Sequence, residues 1–225
     1  MIMEKAILYK EWIKTRGYCL LALIVSCGMV AYCLMKMRYV IEMKGVEHLW
    51  QVMMERDAVF VDRLTYLPVV VGVLLAIVQF VPEMQQKRMK LMLHLPYPRF
   101  LNISIMLLYG VGCLITCFAL HFAGIWLYTR TFLPPELYSR MLLTALPWYM
   151  AGFAAYLLGA WSVLEPTWKG RIANVAVSVA LTSTCFLSMT PEAYNRMIGL
   201  LAMYAALCFF LPMLSVQRFI DGKQD

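Results

Sequence analysis

Residues 64–82 read LTYLPVVVGVLLAIVQFVP, a stretch without a single Asp, Glu, Lys, Arg or His. A bilayer's hydrocarbon core is about 30 Å thick and takes roughly 20 apolar residues per helix, so this stretch predicts a membrane-crossing helix. Working outward, similar windows lie near 17–35, 100–128, 141–163, 171–190 and 197–214. Little chain is left over to fold in water. Hydrophobic residues make up 62% of the chain and mean hydropathy is +0.70, against roughly 45–50% apolar usage in soluble domains. The runs lack the sustained alternation of a transmembrane barrel, and lipid tolerates only helices or closed barrels because backbone polar groups find no water there. The expected fold is all-α, a polytopic membrane protein of six transmembrane helices spanning 17–220, followed by a short tail at 221–225.

Orientation is read from Lys and Arg. With the N-terminus inside, Lys5, Lys10, Lys14, Arg16, Lys87, Arg88, Lys90, Arg99, Lys169, Arg171, Arg218 and Lys223 face the cytoplasm, the larger share of the 20 basic residues. Both termini are then cytoplasmic. The formal charge of +7 becomes a charge on the inner face, which anionic lipid attracts. Nucleic-acid binding finds no basic cluster on a soluble domain to support it. Ile24-Val25-Ser26-Cys27 looks like a lipoprotein cleavage box, but the apolar run continues through Met35 and further spans follow, which points to an uncleaved first helix.

Three segments lie outside the spans. Residues 1–16 place Ile2, Ala6, Tyr9 and Ile13 on one helical face, with Trp12 and the stems of Lys5 and Arg16 at its edge, as in an interfacial helix. Residues 36–63 carry Val46, Leu49, Trp50, Met53 and Phe60 at near-helical spacing among acids, which suggests an outer amphipathic connector. The third is the most informative. From Glu83 to Leu95 nothing breaks a helix, Met84, Leu91, Met92 and Leu95 offer apolar anchors, and Pro96 and Pro98 forbid continuation. That describes an amphipathic helix over 83–95, about 20 Å long, suited to a groove on a partner or to the lipid surface.

Polar residues inside the spans are sparse. Gln79, Asn102, Glu165 and Asn174 fall near cytoplasmic ends, where water and headgroups make them affordable. His121 lies deep in the third span and has three conceivable uses: gating a proton, ligating haem iron, or bonding a neighbouring carbonyl. His48 and His94 are too distant in this topology to share a metal with it. Ala151, Gly152, Ala155 and Gly159 form a small-residue stripe that lets another helix approach closely, and Ala173, Ala176 and Ala180 repeat the theme. The seven cysteines are odd in number, lie within spans and include no Cys-x-x-Cys, so no disulfide framework or metal site is implied. The chain has no phosphate-binding loop, no His-Glu-x-x-His and no Gly-x-Ser-x-Gly. No catalytic residue is assigned.

The layout as a whole, with Tyr9-Lys10-Glu11-Trp12 in the lead, six spans, and Glu83 followed by a basic stretch and Leu91-Met92-Leu93-His94-Leu95-Pro96-Tyr97-Pro98-Arg99, resembles the permease subunits of ABC-type-2 exporters. The resemblance implies that the lead is an elbow helix and that 83–95 is a coupling helix seated in a separate ATP-binding subunit. It makes Glu83, Lys87, Arg88, Leu91, His94 and Leu95 partner-contacting residues. It further implies a second permease copy, ATP and Mg held only by the partner subunit, no cofactor and no enzymatic activity in this chain, and a bacterial cytoplasmic (inner) membrane location. Where relatives carry Gly-Thr or Gly-Ser after the acid, this chain has Lys87-Arg88-Met89. A haem or cytochrome-maturation permease and a non-transporting scaffold or sensor are the alternatives.

Overall fold

The structure is a computed structural model, and it describes residues 2–55, 57–85, 98–188 and 190–222. The described residues form helices and connecting turns, with no strand among them. In chain order the helices are α1 (Ile2–Glu55), α2 (Leu67–Gln85), α3 (Arg99–Thr129), α4 (Pro135–Leu164), α5 (Trp168–Ser183), α6 (Ile198–Leu207) and α7 (Leu211–Ile220), with short 3-10 turns between some of them. Among the described residues five segments are long and apolar enough to cross a membrane: Met3–Glu55, Asp62–Gln85, Arg99–Thr129, Pro135–Leu164 and Asn195–Ile220. The last comprises α6 and α7, joined through a 3-10 turn at Cys208–Phe210. Pro212 accounts for that turn, since it has no N–H to continue the ladder from α6. Helix α5 is 16 residues, about 24 Å at 1.5 Å per residue, which leaves it shorter than those five segments and outside their number.

The lead is not a separate element. Helix α1 runs from Ile2 without a break until Gly45, whose φ of 82° and ψ of 164° lie outside the helical region and are open to glycine at little cost. Glu11, Thr15, Ala22, Ser26, Val30, Cys33 and Met37 are all buried and fall at helical spacings of three, four or seven residues, so lead and first span share one continuous stripe. That shared stripe is the reason no elbow forms at residue 16. Leu20, Leu21, Ile24 and Val25 occupy the opposite, exposed face. Beyond Gly45, Leu49 and Met53 of the connector are buried, whereas Val46 and Trp50 are exposed.

Helix α4 is the hub, packing on α2, α3, α5, α6 and α7. Its closest neighbour is α2. A Cβ added to Gly72 would collide with the Gly152 carbonyl, one on Gly152 would come within 2.8 Å of Pro68, and one on Gly159 would stand 3.1 Å from Ala76. Ala151 and Ala155 are buried beside them. Close backbone approach of this kind is how helices associate in lipid, where no hydrophobic effect drives them together. At the end remote from the N-terminus, Tyr66 stacks against Phe186 with ring centroids 5.2 Å apart, and Arg140 pairs with Asp57.

Candidate functional site

The start of α1, the end of α2, the beginning of α3 and the end of α4 meet at one end of the bundle, the end that carries Lys5, Lys10, Lys14, Arg16, Arg99, Lys169, Arg171 and Arg218. At its centre is Glu83, fully buried. Its Oε1 accepts from Lys14 Nζ at 2.8 Å and lies 2.9 Å from Lys10 Nζ. Lys14 also reaches Glu11 Oε2 at 2.8 Å, and Glu11 is buried too. Two carboxylates and two ammonium groups thus form a neutral quartet tying α1 to the last turn of α2. The i, i+4 spacing of Lys10 and Lys14 places both cations on one face of α1.

Above this quartet, polar groups continue into the bundle. Thr15 Oγ1 donates to the Glu11 carbonyl at 2.9 Å and stands 2.7 Å from the Tyr109 hydroxyl of α3. Tyr18 donates to the Val71 carbonyl at 2.8 Å. One step further in, Gln79 Nε2 donates to the Met106 carbonyl and Tyr156 donates to Gln79 Oε1, both at 2.8 Å. Thr15, Tyr18, Gln79 and Tyr156 have each found a partner, as a low-dielectric interior demands, whereas Glu83 Oε2, Asn102 Oδ1 and Ser104 Oγ are buried without a hydrogen-bond partner among the described residues.

A third buried carboxylate closes the other side of the same end. Glu165, directly after α4, accepts from Ser215 at 2.6 Å and from Asn174 at 3.4 Å. Arg218 of α7 lies 3.4 Å from its Oε2 and is half-exposed. Arg171 Nε donates to the Glu165 backbone carbonyl at 2.7 Å, and Thr167 caps α5 by accepting from the Gly170 N–H at 3.2 Å. Glu165 therefore pins the start of α5 and the end of α7 to α4.

Midway through the bundle His121 is buried among protein partners. Its Nε2 stands 2.8 Å from Ser26 Oγ on α1, and its Nδ1 stands 3.4 Å from the Tyr149 hydroxyl on α4. Cys117 lies 3.7 Å from both Ser26 Oγ and His121 Nε2. Both ring nitrogens are thereby directed at side chains, so haem ligation by His121 would first have to break one of these contacts. Among the described residues no group of three or more His, Cys, Asp or Glu side chains is arranged to hold a metal ion.

Glu83 therefore meets its own chain, through Lys10 and Lys14. Lys87, Arg88, Leu91, His94 and Leu95 lie outside the described residues, as does most of the segment 83–95. Ala151, Gly152, Ala155 and Gly159 sit in or beside the α2–α4 contact. Gln79, Asn102, Glu165 and Asn174, read from sequence as groups at wet ends, are all buried. Sequence reasoning missed Lys10, Glu11 and Lys14 as partners of Glu83, and Ser26 and Tyr149 as partners of His121. Comparison with family models, with curated proteins and with solved structures returns no match in any of the three. The chain is thus helical throughout its described residues, with apolar spans whose basic end is fastened by three buried carboxylates, Glu11, Glu83 and Glu165.

Proposed function

We propose that this chain is the membrane permease subunit of an ATP-driven exporter of the ABC type 2 kind, working as a pair of subunits with a separate ATP-binding subunit that holds ATP and Mg. In this reading α5 is the remaining span, six in all, both termini face the cytoplasm of a bacterial cell, and the basic end faces inward. The chain itself carries out no covalent chemistry. The segment 83–95 is the coupling helix.

The observation that supports this reading is the Glu83 tie. Any load applied by a partner to the segment beginning at Glu83 passes through Lys10 and Lys14 into α1. A two-state equilibrium between inward-open and outward-open arrangements is then biased by whichever spacing the ATP-bound partner grips more tightly.

The experiment is capture of the tagged chain from native membranes with photo-crosslinkers placed along 83–95, followed by identification of what is attached. Recovery of a polypeptide bearing a phosphate-binding loop supports the proposal, and Leu91→Asp should abolish that recovery while leaving the spans folded. Crosslinks to phospholipid alone overturn it.

A further inference from the structure

Helix α5 packs mainly on α4 and stands away from α2, which leaves a groove between α2 and α5 with α4 as its floor. Two cavities occupy this groove. The one near the basic end encloses about 550 Å³ beside Met84, Gln85, Trp168 and Arg171. The other encloses about 400 Å³ and continues to Tyr66, Thr182 and Phe186 at the far end. Ser162, Val163 and Val175 line both, so they are one slot running along the bundle.

The walls are chemically asymmetric. Along its middle the hydroxyls are spent within the protein: Ser162 donates to the Leu158 carbonyl at 3.0 Å and Ser178 to the Asn174 carbonyl at 2.6 Å. At the far end Ser183 donates to the Ala180 carbonyl. What faces the slot there is hydrocarbon. At the basic end the situation reverses. Arg171 spends its Nε on the Glu165 carbonyl, which leaves its two terminal NH2 groups for an outside acceptor. Lys169, two residues earlier on α5, is exposed, and the positive end of α5 lies at this end of the slot. Trp168, largely exposed, adds an indole of the kind that prefers the headgroup zone.

We infer that the α2–α5 slot is a binding site for an anionic phospholipid of the bilayer, its acyl chain lying along Val175 and its phosphate against Lys169 and Arg171. A transmembrane helix of a second copy fits less well, because a slot charged at only one end matches a molecule with a single charged end. The inference needs only that the chain lies in a bilayer, and a chain without any ATP-binding partner would still hold the lipid.

The test reconstitutes the full chain in phosphatidylcholine vesicles doped with a photoactivatable phosphatidylglycerol or, separately, the matching phosphatidylcholine, and maps the labelled residues. The phosphatidylglycerol should label α5 and α2 around Val175 and Val81 in preference to the neutral lipid. Lys169→Gln should reduce that preference about fivefold, the equivalent of about 1 kcal/mol per cation near an anionic lipid surface, and adding Arg171→Gln should reduce it again. Arg99→Gln, an exposed cation outside the slot, should leave it unchanged. Val175→Trp fills the slot from an exposed position and should abolish labelling at Val81. Equal labelling by the two lipids, labelling at Val81 that survives Val175→Trp, or efficient chain-to-chain disulfide crosslinking through Val175→Cys in the bilayer would each overturn the inference.

Discussion

The hydroxyl of Tyr156 donates to Gln79 Oε1 at 2.8 Å and does so directly over Gly110, where any added Cβ would occupy the same space as the hydroxyl. A glycine on α3 is therefore part of a hydrogen bond between α4 and α2 without contributing an atom to it.

Gly110→Ala should destabilise the bundle through this contact. Overpacking a filled site costs about 1–3 kcal/mol, and here the displaced group is also a buried hydrogen-bond donor. Thermal unfolding in detergent should show the loss, and Tyr156→Phe in the Gly110→Ala background should recover part of it by removing the oxygen that clashes. A Gly110→Ala chain as stable as the parent would contradict the packing described.

Glu83 and its two lysines make a graded prediction. Breaking a buried ion pair from one side costs about 3–5 kcal/mol, because the surviving charge is left buried. Glu83→Gln leaves both ammonium groups within reach of Glu11, whereas Lys14→Met leaves the two fully buried carboxylates, Glu11 and Glu83, to share Lys10, so the second should be the more damaging. Equilibrium unfolding of both single variants and the double variant would measure the coupling. The double variant should be less unstable than the sum of the singles.

Glu165 offers the contrast between buried and exposed partners. Ser215 bonds it at 2.6 Å in a buried position, whereas Arg218 approaches to only 3.4 Å and is half-exposed. Removal of an exposed cation is worth about 0–1 kcal/mol, so Arg218→Gln should be nearly silent. Ser215→Ala should cost more, about 1–3 kcal/mol for a charge left short of a partner. Melting curves that rank the two variants in the opposite order would refute this account of how α7 is held.

Ser26 and His121 should behave as a coupled pair. Hydrogen bonds between helices in membranes average about 0.6 kcal/mol and reach about 1.7. Ser26→Ala and His121→Phe should each lower stability by an amount in that range. Their double variant should lose less than the two combined, as a double-mutant cycle in micelles would report. Strict additivity would mean that the 2.8 Å contact contributes nothing.

The spans were legible because length and hydropathy are local properties: residues 64–82 or 100–128 announce themselves without reference to anything else. The small-residue stripe in α4 was legible for the same reason, although the helix it meets was not. The ion-paired end was not, since Glu83 and Lys14 are 69 positions apart and Ser26 and His121 are 95 apart, and no periodicity links them. Gln79, Asn102, Glu165 and Asn174 read as affordable, because polar groups near span ends ordinarily reach water. Their burial depends on which cations and hydroxyls neighbouring helices bring. The uninterrupted course of α1 escaped notice because charged residues in 1–16 resemble an interfacial segment until Glu11 and Thr15 are seen to extend the buried stripe of Ala22, Ser26 and Val30. Helix α5 sits at the margin, with Lys169, Arg171 and Asn174 diluting its apolar character.

Because α1 keeps helical geometry from Ile2 until Gly45, it behaves as a rod held near one tip by the Glu83 carboxylate of α2. A rod gripped in that way cannot shorten, so it answers a sideways push by swinging. A small excursion at Lys10 would then sweep the opposite membrane surface through a proportionate arc, with Gly45 the natural wrist at which the motion changes direction.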